Sequence, residues 1–521
     1  MQRLIIVFAA VMIWASAVRA DVKLPAIFGS NMVLQRDQPI GIWGWADAGE
    51  EVTVTLGDGN TATGKPDAGG KWKVQLAAMK ASAVAKDAGL VLTVKGKNTV
   101  ALSNVLIGEV WVCSGQSNMA FALRQAEGAD QAIAASNQPA IRLITVPRVP
   151  IDKPQGDFIA KWEVCGPQTA AQFSAVAYFF GRDLLQHLNV PIGLINTSYG
   201  GTAAEAWTSR AALESEPSLK PLLADWDKRV AEQTTEKVLA QNQEALKRWQ
   251  IAVEKAKAEK VEPPAKPRPL VEAGRSQNRP ANLYNGMIAP LLGLSVRGVI
   301  WYQGEGNVPR AHQYRTLFPL MIKNWRTDFG QPELPFGFVQ LAPFRYTRND
   351  PGMGAELWEA QLNTLRTVPH TGMAVITDIG DPKDIHPTKK EEVGKRLALW
   401  ARGKVYGEKD VVYSGPIYKA SRAADGKIIL TFDHIGGGLK SRDDKPLTHF
   451  EIAGEDKAFV PAEAKIEGDT VVVWAKDVAK PAAVRFGWRD DAEPNLANKE
   501  GLPASPFRTD DWKGVTEGKA Y

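Results

Sequence analysis

The chain has 521 residues, 44% hydrophobic and 23% charged, with a net charge of +5. Such a composition is ordinary for a globular protein, and the charge is too balanced to argue for a nucleic-acid or acidic-membrane partner. Only two cysteines, Cys113 and Cys165, are present; they make no disulfide framework and lack metal-site spacing, so metal catalysis has little support.

Residues 1–20 predict a signal peptide. Arg3 begins a short positive region, Leu4 to Val18 is apolar, and Val18 and Ala20 suit cleavage after Ala20. Export to the periplasm or beyond is the expected localisation. Removal of Arg3 and Arg19 with the leader lowers the net charge by two. No later stretch approaches the roughly 18 uninterrupted apolar residues of a membrane span. The remaining length exceeds one hydrophobic core and predicts several domains.

From residue 21 to 104 the pattern is β. Val52-Thr53-Val54-Thr55-Leu56, Trp72-Lys73-Val74-Gln75-Leu76 and Val91-Leu92-Thr93-Val94 alternate between turn-forming clusters, which predicts a small sandwich. From residue 105 to 407 apolar strands alternate with amphipathic helices. The strands expected are Gly108 to Cys113, Ile141 to Val146, Ile192 to Asn196, Gly298 to Gln303, Phe336 to Leu341 and Met373 to Asp378. The helices expected include Ser174 to His187, His312 to Trp325 and Glu391 to Ala401. Continuous apolar strands between such helices predict a mostly parallel sheet covered on both faces, with the chemistry beyond the strands' carboxyl ends. Roughly 211–260, rich in Glu, Lys, Ala and Gln, predicts an inserted helical hairpin, with Leu239, Leu246, Trp249 and Val253 at helical spacing. Residues 408–521 return to β, with strands at Lys427 to Phe432, Val471 to Ala475 and Ala483 to Trp488. Sixteen tryptophans are present; some could stack on sugar rings, though buried core is the commoner fate.

In Val110-Trp111-Val112-Cys113-Ser114-Gly115-Gln116-Ser117-Asn118-Met119 an apolar strand runs through a glycine turn toward a helix. Ser117 there could be a nucleophile whose own backbone N–H faces an oxyanion, aided by the helix dipole, or merely a helix cap. A serine hydroxyl needs a base. Of the six histidines, His386 is favoured by elimination, because it follows an apolar strand on the expected face. Asp384 and Asp381 precede it closely, and an acid beside a catalytic imidazole fixes its tautomer. Two further segments follow strands and suit an oxyanion hole. One is Asn196-Thr197-Ser198-Tyr199-Gly200-Gly201-Thr202, with backbone N–H groups at Gly200 and Gly201. The other is Trp301-Tyr302-Gln303-Gly304-Glu305-Gly306-Asn307, with the Gln303 amide.

These ordered segments resemble the SGNH hydrolase superfamily, and within it the sialate O-acetylesterase-like carbohydrate esterases. Ser-Gly-Gln-Ser-Asn-Met at 114–119 is similar to the nucleophile block, Tyr199-Gly200-Gly201-Thr202 to the glycine block, Trp301-Tyr302-Gln303-Gly304-Glu305 to the third block, and Asp384-Ile385-His386-Pro387 to the acid–base block. Asn282-Leu283-Tyr284-Asn285-Gly286-Met287-Ile288 also resembles a family segment, as does Gly501-Leu502-Pro503-Ala504-Ser505-Pro506-Phe507-Arg508. The resemblance implies a three-layer α/β/α, flavodoxin-like SGNH hydrolase domain with flanking β-sandwich regions. It implies a Ser117–His386–Asp384 triad, an oxyanion hole of Ser117, Gly200, Gly201 and Gln303, and substrate contacts at Asn118, Glu305 and Asn285. No cofactor is needed. The implied substrate is an acetylated sugar, either O-acetylated sialic acid or a plant polysaccharide such as xylan or xyloglucan. Where the superfamily usually places its aspartate, three residues before the histidine, this chain has Lys383, which leaves Asp384 and Asp381 as candidates; the shorter two-residue step, the turn favoured by Pro382 after Asp381 and the match of Asp384-Ile385-His386 to the family block assign Asp384. The alternative from another class is a non-catalytic carbohydrate-binding protein.

Overall fold

The computed structural model describes residues 21–83, 89–346 and 351–519; the leader expected at 1–20 lies outside them. Strands β1 (Val33–Gln35), β2 (Ile40–Trp45), β3 (Val52–Leu56), β4 (Asn60–Gly64), β5 (Lys71–Leu76) and β6 (Leu90–Lys95) come first. Their alternation has a direct cause: each strand buries one face. Val52, Val54 and Leu56 point inward from β3, and Trp72, Val74 and Leu76 from β5.

Strand β7 (Thr99–Gly115) changes this rhythm without breaking. Its first residues alternate and pair antiparallel with β6. From Val105 every residue is buried. Leu106–Gly108 pair in parallel with β1, and the rest lies between two parallel neighbours. The shift of pattern at residue 105 is thus a change of surroundings within one strand, from a half-buried to a fully buried sheet. A buried charge cluster fixes the junction. The Glu109 carboxylate on β7 accepts from Gln35 and Arg36 beside β1 and from Arg297 across the sheet.

The remaining strands of the central sheet are β8 (Gln138–Thr145), β9 (Glu163–Cys165), β10 (Ile192–Ser198), β11 (Gly298–Tyr302), β12 (Phe336–Val339) and β13 (Thr371–Ala374). The order across the sheet is β13-β12-β11-β7-β10-β8-β9, parallel except for β9. After β7 the chain builds one side through β8 and β10, then crosses to β11 on the other. A crevice therefore opens beyond the carboxyl ends of β7, β10 and β11.

Both faces are covered, as expected of a three-layer α/β/α hydrolase. On one face Trp111 meets Phe180 of helix Ala175–Leu188 and Trp400 of helix Lys390–Trp400, with ring centroids 4.9 and 6.2 Å apart. Trp400 lies directly on the sheet, because a Cβ at Gly337 or Gly372 would fall within 2.4 or 2.0 Å of its ring. On the other face Trp301 packs edge-on against Trp207 and Trp325, both at 5.8 Å. Helices Ala311–Asp328 and Met353–Thr367 pack together there.

The 211–260 segment is helical, with helices at Arg210–Ser215, Lys220–Glu232 and Thr235–Glu259. Leu239 is exposed, while Trp249 is half-buried and donates to the Pro264 carbonyl as the proline-rich stretch folds back. Beyond residue 408 short antiparallel strands dominate, including Lys427–Asp433, Thr470–Trp474 and Ala483–Phe486. This region is tied to helix Met353–Thr367 by the Glu359–Arg508 ion pair and by Thr516, whose hydroxyl and N–H both donate to Glu356. Cys113 and Cys165 are buried free thiols, and burial pushes the Cys165 thiol up to about 12. Among the described residues no helix is long and apolar enough to cross a membrane.

Candidate active site

The carboxyl end of β7 is held against β11. Gly115 has φ +136°, and a Cβ there would lie 2.2 Å from the Tyr302 carbonyl oxygen, so the position requires glycine. The Gln116 N–H donates to that same carbonyl at 2.9 Å. Ser117 then opens a helix of one turn, Ser117–Ala120. Four residues sum to little dipole, so the helix-dipole aid expected from the sequence is small. What the turn does offer is its first backbone N–H, which has no acceptor within the helix.

His386 comes to Ser117 from the loop after β13. Its Nε2 is 2.8 Å from Ser117 Oγ, and both residues are half-buried. The loop is pinned along its length. Arg396 grips the Asp378 carboxylate with two nitrogens, at 2.6 and 2.7 Å. The Arg345 N–H donates to the Pro382 carbonyl, the Asn118 amide to the Ile385 carbonyl, and the Glu127 N–H to the Thr388 carbonyl.

The expected turn between Asp384 and His386 is present, but its hydrogen bond is not the one expected. Asp384 Oδ1 accepts the backbone N–H of His386 at 2.9 Å rather than a ring N–H, and Asp381 likewise accepts from its own loop at Lys383. Among the described residues no hydrogen bond reaches His386 Nδ1. Two acids so close in sequence satisfy the tight loop's backbone first, as Asx turns do. Asp384 still acts on the ring through its charge, favouring the protonated form against burial and the Lys390 cation, which together hold the His386 pKa below its usual value.

The glycine segment sits beside Ser117: a Cβ at Gly200 would lie 3.1 Å from Ser117 Cβ. Gln277 donates to the Gly200 carbonyl at 3.0 Å, and Asn278 to the Gly201 carbonyl at 3.1 Å. A trans peptide points its N–H opposite its C=O, so these bonds turn the following N–H groups away from Gln277 and Asn278.

Gln303 does not serve the site as expected. It is fully buried, and its amide donates both to the Thr202 carbonyl at 3.0 Å and to Asn307 Oδ1 at 2.7 Å. Its Oε1 accepts from the Tyr314 hydroxyl at 3.1 Å. An amide has two N–H donors, and here both are used. Asn307 continues to Glu205, which pairs with Arg310 at 2.9 Å. This network braces the glycine segment against the loop after β11.

Asn118 and Asn285 also differ from their expected roles as substrate contacts. Asn118 is 1% exposed; its amide donates to Glu305 at 2.6 Å and to Ile385, and its Oδ1 accepts from Lys390 Nζ at 2.5 Å. Asn285 is buried and donates to the Ile151 carbonyl, strapping segment 149–155 to the domain. Glu305 is half-buried at the crevice. One of its oxygens accepts from Asn118, the other has no hydrogen-bond partner among the described residues, and desolvation raises its pKa.

Lys390 is the residue the sequence did not single out. Its ammonium lies under the site, 4.9 Å from the Phe121 ring centroid and 5.2 Å from that of Tyr302. Burial lowers its pKa to about 7, against the opposing pull of Glu305 and Asp384. Among the described residues no group of three or more His, Cys, Asp and Glu is placed to hold a metal ion.

Two expectations follow. Gln303→Ala strips partners from Thr202, Asn307 and Tyr314, and should cost about 1–3 kcal/mol of stability in urea unfolding; a fall in kcat at unchanged stability would instead restore its oxyanion role. Lys390→Met removes one cause of the lowered His386 pKa. A base must be neutral, so the acidic limb of kcat/KM should move to higher pH. An unmoved limb would show that Lys390 does not act on the imidazole.

The family description "Carbohydrate esterase, sialic acid-specific acetylesterase" matches residues 272–401, which carry Gln303, Glu305, His386 and Lys390. Sialate O-acetylesterase of Homo sapiens is 30% identical over 526 aligned positions, covering 93% of this chain and 92% of that protein. The enzyme of Rattus norvegicus is 32% identical over 446, covering 79% of each. The crystal structure of a carbohydrate acetylesterase from Xanthomonas citri superposes with a TM-score of 0.79 at 38% identity, covering 94% of this chain and 100% of that one. With a site built on the nucleophile, glycine, third and acid–base blocks, and likeness over nearly its whole length, the chain belongs to the sialate O-acetylesterase family of carbohydrate esterases.

Proposed function

We propose that this chain hydrolyses O-acetyl esters of sugars through an acetyl-enzyme formed on Ser117. One observation carries the reading: Ser117 Oγ and His386 Nε2 lie 2.8 Å apart, beyond the carboxyl end of the central strand and beside Gly200. Ser117 Oγ attacks the acetyl carbonyl carbon while His386 Nε2 takes its proton. The backbone N–H groups of Ser117 and of the Gly200–Gly201 turn hold the oxyanion, without Gln303. His386 then gives its proton to the departing sugar oxygen. Water, activated by the same imidazole, cleaves the acetyl-enzyme to acetate and free Ser117. The lowered pKa keeps the imidazole neutral, and so able to accept a proton, near neutral pH.

The substrate is an acetylated sialic acid or an acetylated polysaccharide, and the leader at 1–20 sends the enzyme to the periplasm or beyond. Acetate release from acetylated sialic acid, xylan and xyloglucan tests the reading, with p-nitrophenyl acetate as a small ester. Ser117→Ala should abolish release from every ester the parent cleaves, and an organophosphorus reagent should label Ser117. Glycan binding with no acetate release from any ester would favour the non-catalytic alternative.

Asp384 is proposed to order the His386 loop and to act on the ring by charge. Asparagine can still accept the His386 backbone N–H, so Asp384→Asn should lose far less than the about 10⁴-fold in kcat seen when a triad aspartate is replaced. A loss of that full size would return Asp384 to hydrogen bonding with the ring.

A further inference from the structure

Most of the described tryptophans are core, and Trp43 and Trp45 are among the few that are only half-buried. They stand two residues apart on β2, so their side chains share one face, about 6–7 Å apart along the strand. Across the ribbon Lys73 and Lys71 pair with them in register and are exposed. These four side chains form one wall of a cleft of about 440 Å³. The opposite wall belongs to the catalytic domain, in segments 154–156 and 289–293.

Two glycines lie close beside the aromatic rings. A Cβ at Gly156 would lie 3.3 Å from the Trp45 ring, and one at Gly293 would lie 3.6 Å from the Trp43 ring. Trp72, between the two lysines on β5, turns its side chain to the other, buried face of the ribbon. Apolar ring faces bordered by flexible cationic donors suit a pyranose, which presents C–H groups on its faces and hydroxyls around its edge.

The cleft is also connected to the catalytic site. Segment 148–155 begins where the Arg148 side chain donates to the Ser198 carbonyl, at the end of β10, and ends at Gln155 in the cleft. Ile151 and Gln155 are both hydrogen-bonded to the 282–285 stretch, which holds the segment in place. Seven residues reach at most about 25 Å, within the span of a short oligosaccharide.

We propose that this cleft is a second glycan subsite: it holds distal sugars of a polysaccharide whose acetylated residue lies at Ser117. The inference rests on the deacetylase reading above and narrows its substrate to a polymer. Isothermal titration of the full chain with unacetylated β-1,4-linked oligosaccharides tests it, alongside kinetics on an acetylated polymer and on p-nitrophenyl acetate. Trp43→Ala and Trp45→Ala should each weaken oligosaccharide binding tenfold or more and raise KM for the polymer at unchanged kcat. Hydrolysis of p-nitrophenyl acetate should stay at the parent level. Gly156→Leu keeps both tryptophans but covers Trp45, and should show the same loss with an intact thermal transition. Equal binding by parent and variants, no binding by the parent, or binding confined to sialylated oligosaccharides would overturn the subsite. Absence of p-nitrophenyl acetate hydrolysis in the parent would count against the deacetylase reading and leave any measured glycan binding standing.

Discussion

The side chain of Asn118 is the joint on which the site depends. It follows Ser117 directly and moves with it. Its three hydrogen-bonding partners come from three other places: Glu305 after β11, Ile385 in the histidine loop, and Lys390 at the start of a helix. In a dry setting each of these bonds is strong, and each partner would be costly to leave alone. Ser117, the His386 loop and the loop after β11 therefore take up their positions together. Ser117 and His386 meet at hydrogen-bonding distance because the residues beside them are already joined underneath.

The same joint sets the electrostatics. A buried ammonium lies below the imidazole and an exposed carboxylate lies beside it. Burial and the ammonium lower the His386 pKa, and the carboxylate raises it. Here the cation and the dry surroundings prevail. Lys390 is itself held near its titration point, about 7, by burial against nearby acids. The imidazole's basicity is thus set by burial, the Lys390 ammonium and the Asp384 charge, and not by an aspartate hydrogen-bonded to its ring.

Much of the catalytic domain was legible in the sequence because its strands are buried on both faces. A run such as Ile192 to Asn196, apolar at successive positions between amphipathic helices, has few other fates. His386 was legible from where it falls, after a strand and on the loop side. What the residues could not reveal was how their polar atoms are used. Gln303 has the right chemistry and the right loop for an oxyanion donor, yet the distant Thr202 carbonyl and Asn307, four residues on, take both of its N–H groups. Asp384 has the right distance from His386 but is drawn to the backbone first. Lys390 sits in the run Lys389-Lys390-Glu391-Glu392, which looks like a solvated helix start. A signal was nonetheless there: position 390 lies three, four and seven residues before Val393, Gly394 and Leu397, on the buried stripe of its helix. A lysine in an apolar stripe is worth pursuing as a buried cation.

Strand β7 carries a further consequence. It leaves the N-terminal β region, receives β1 from that region as a parallel neighbour, and reaches the catalytic turn two residues before Ser117 with no linker between. The two parts share a single hydrogen-bonded backbone, so neither hinge nor slack separates them. In modular enzymes an accessory region can be cut off, swapped or tethered at another length. Here a cut at the boundary would take β1 off the sheet and leave the Glu109 carboxylate facing Arg297 without Gln35 and Arg36. The N-terminal region is better regarded as part of the frame that holds Ser117 than as an attachment to it.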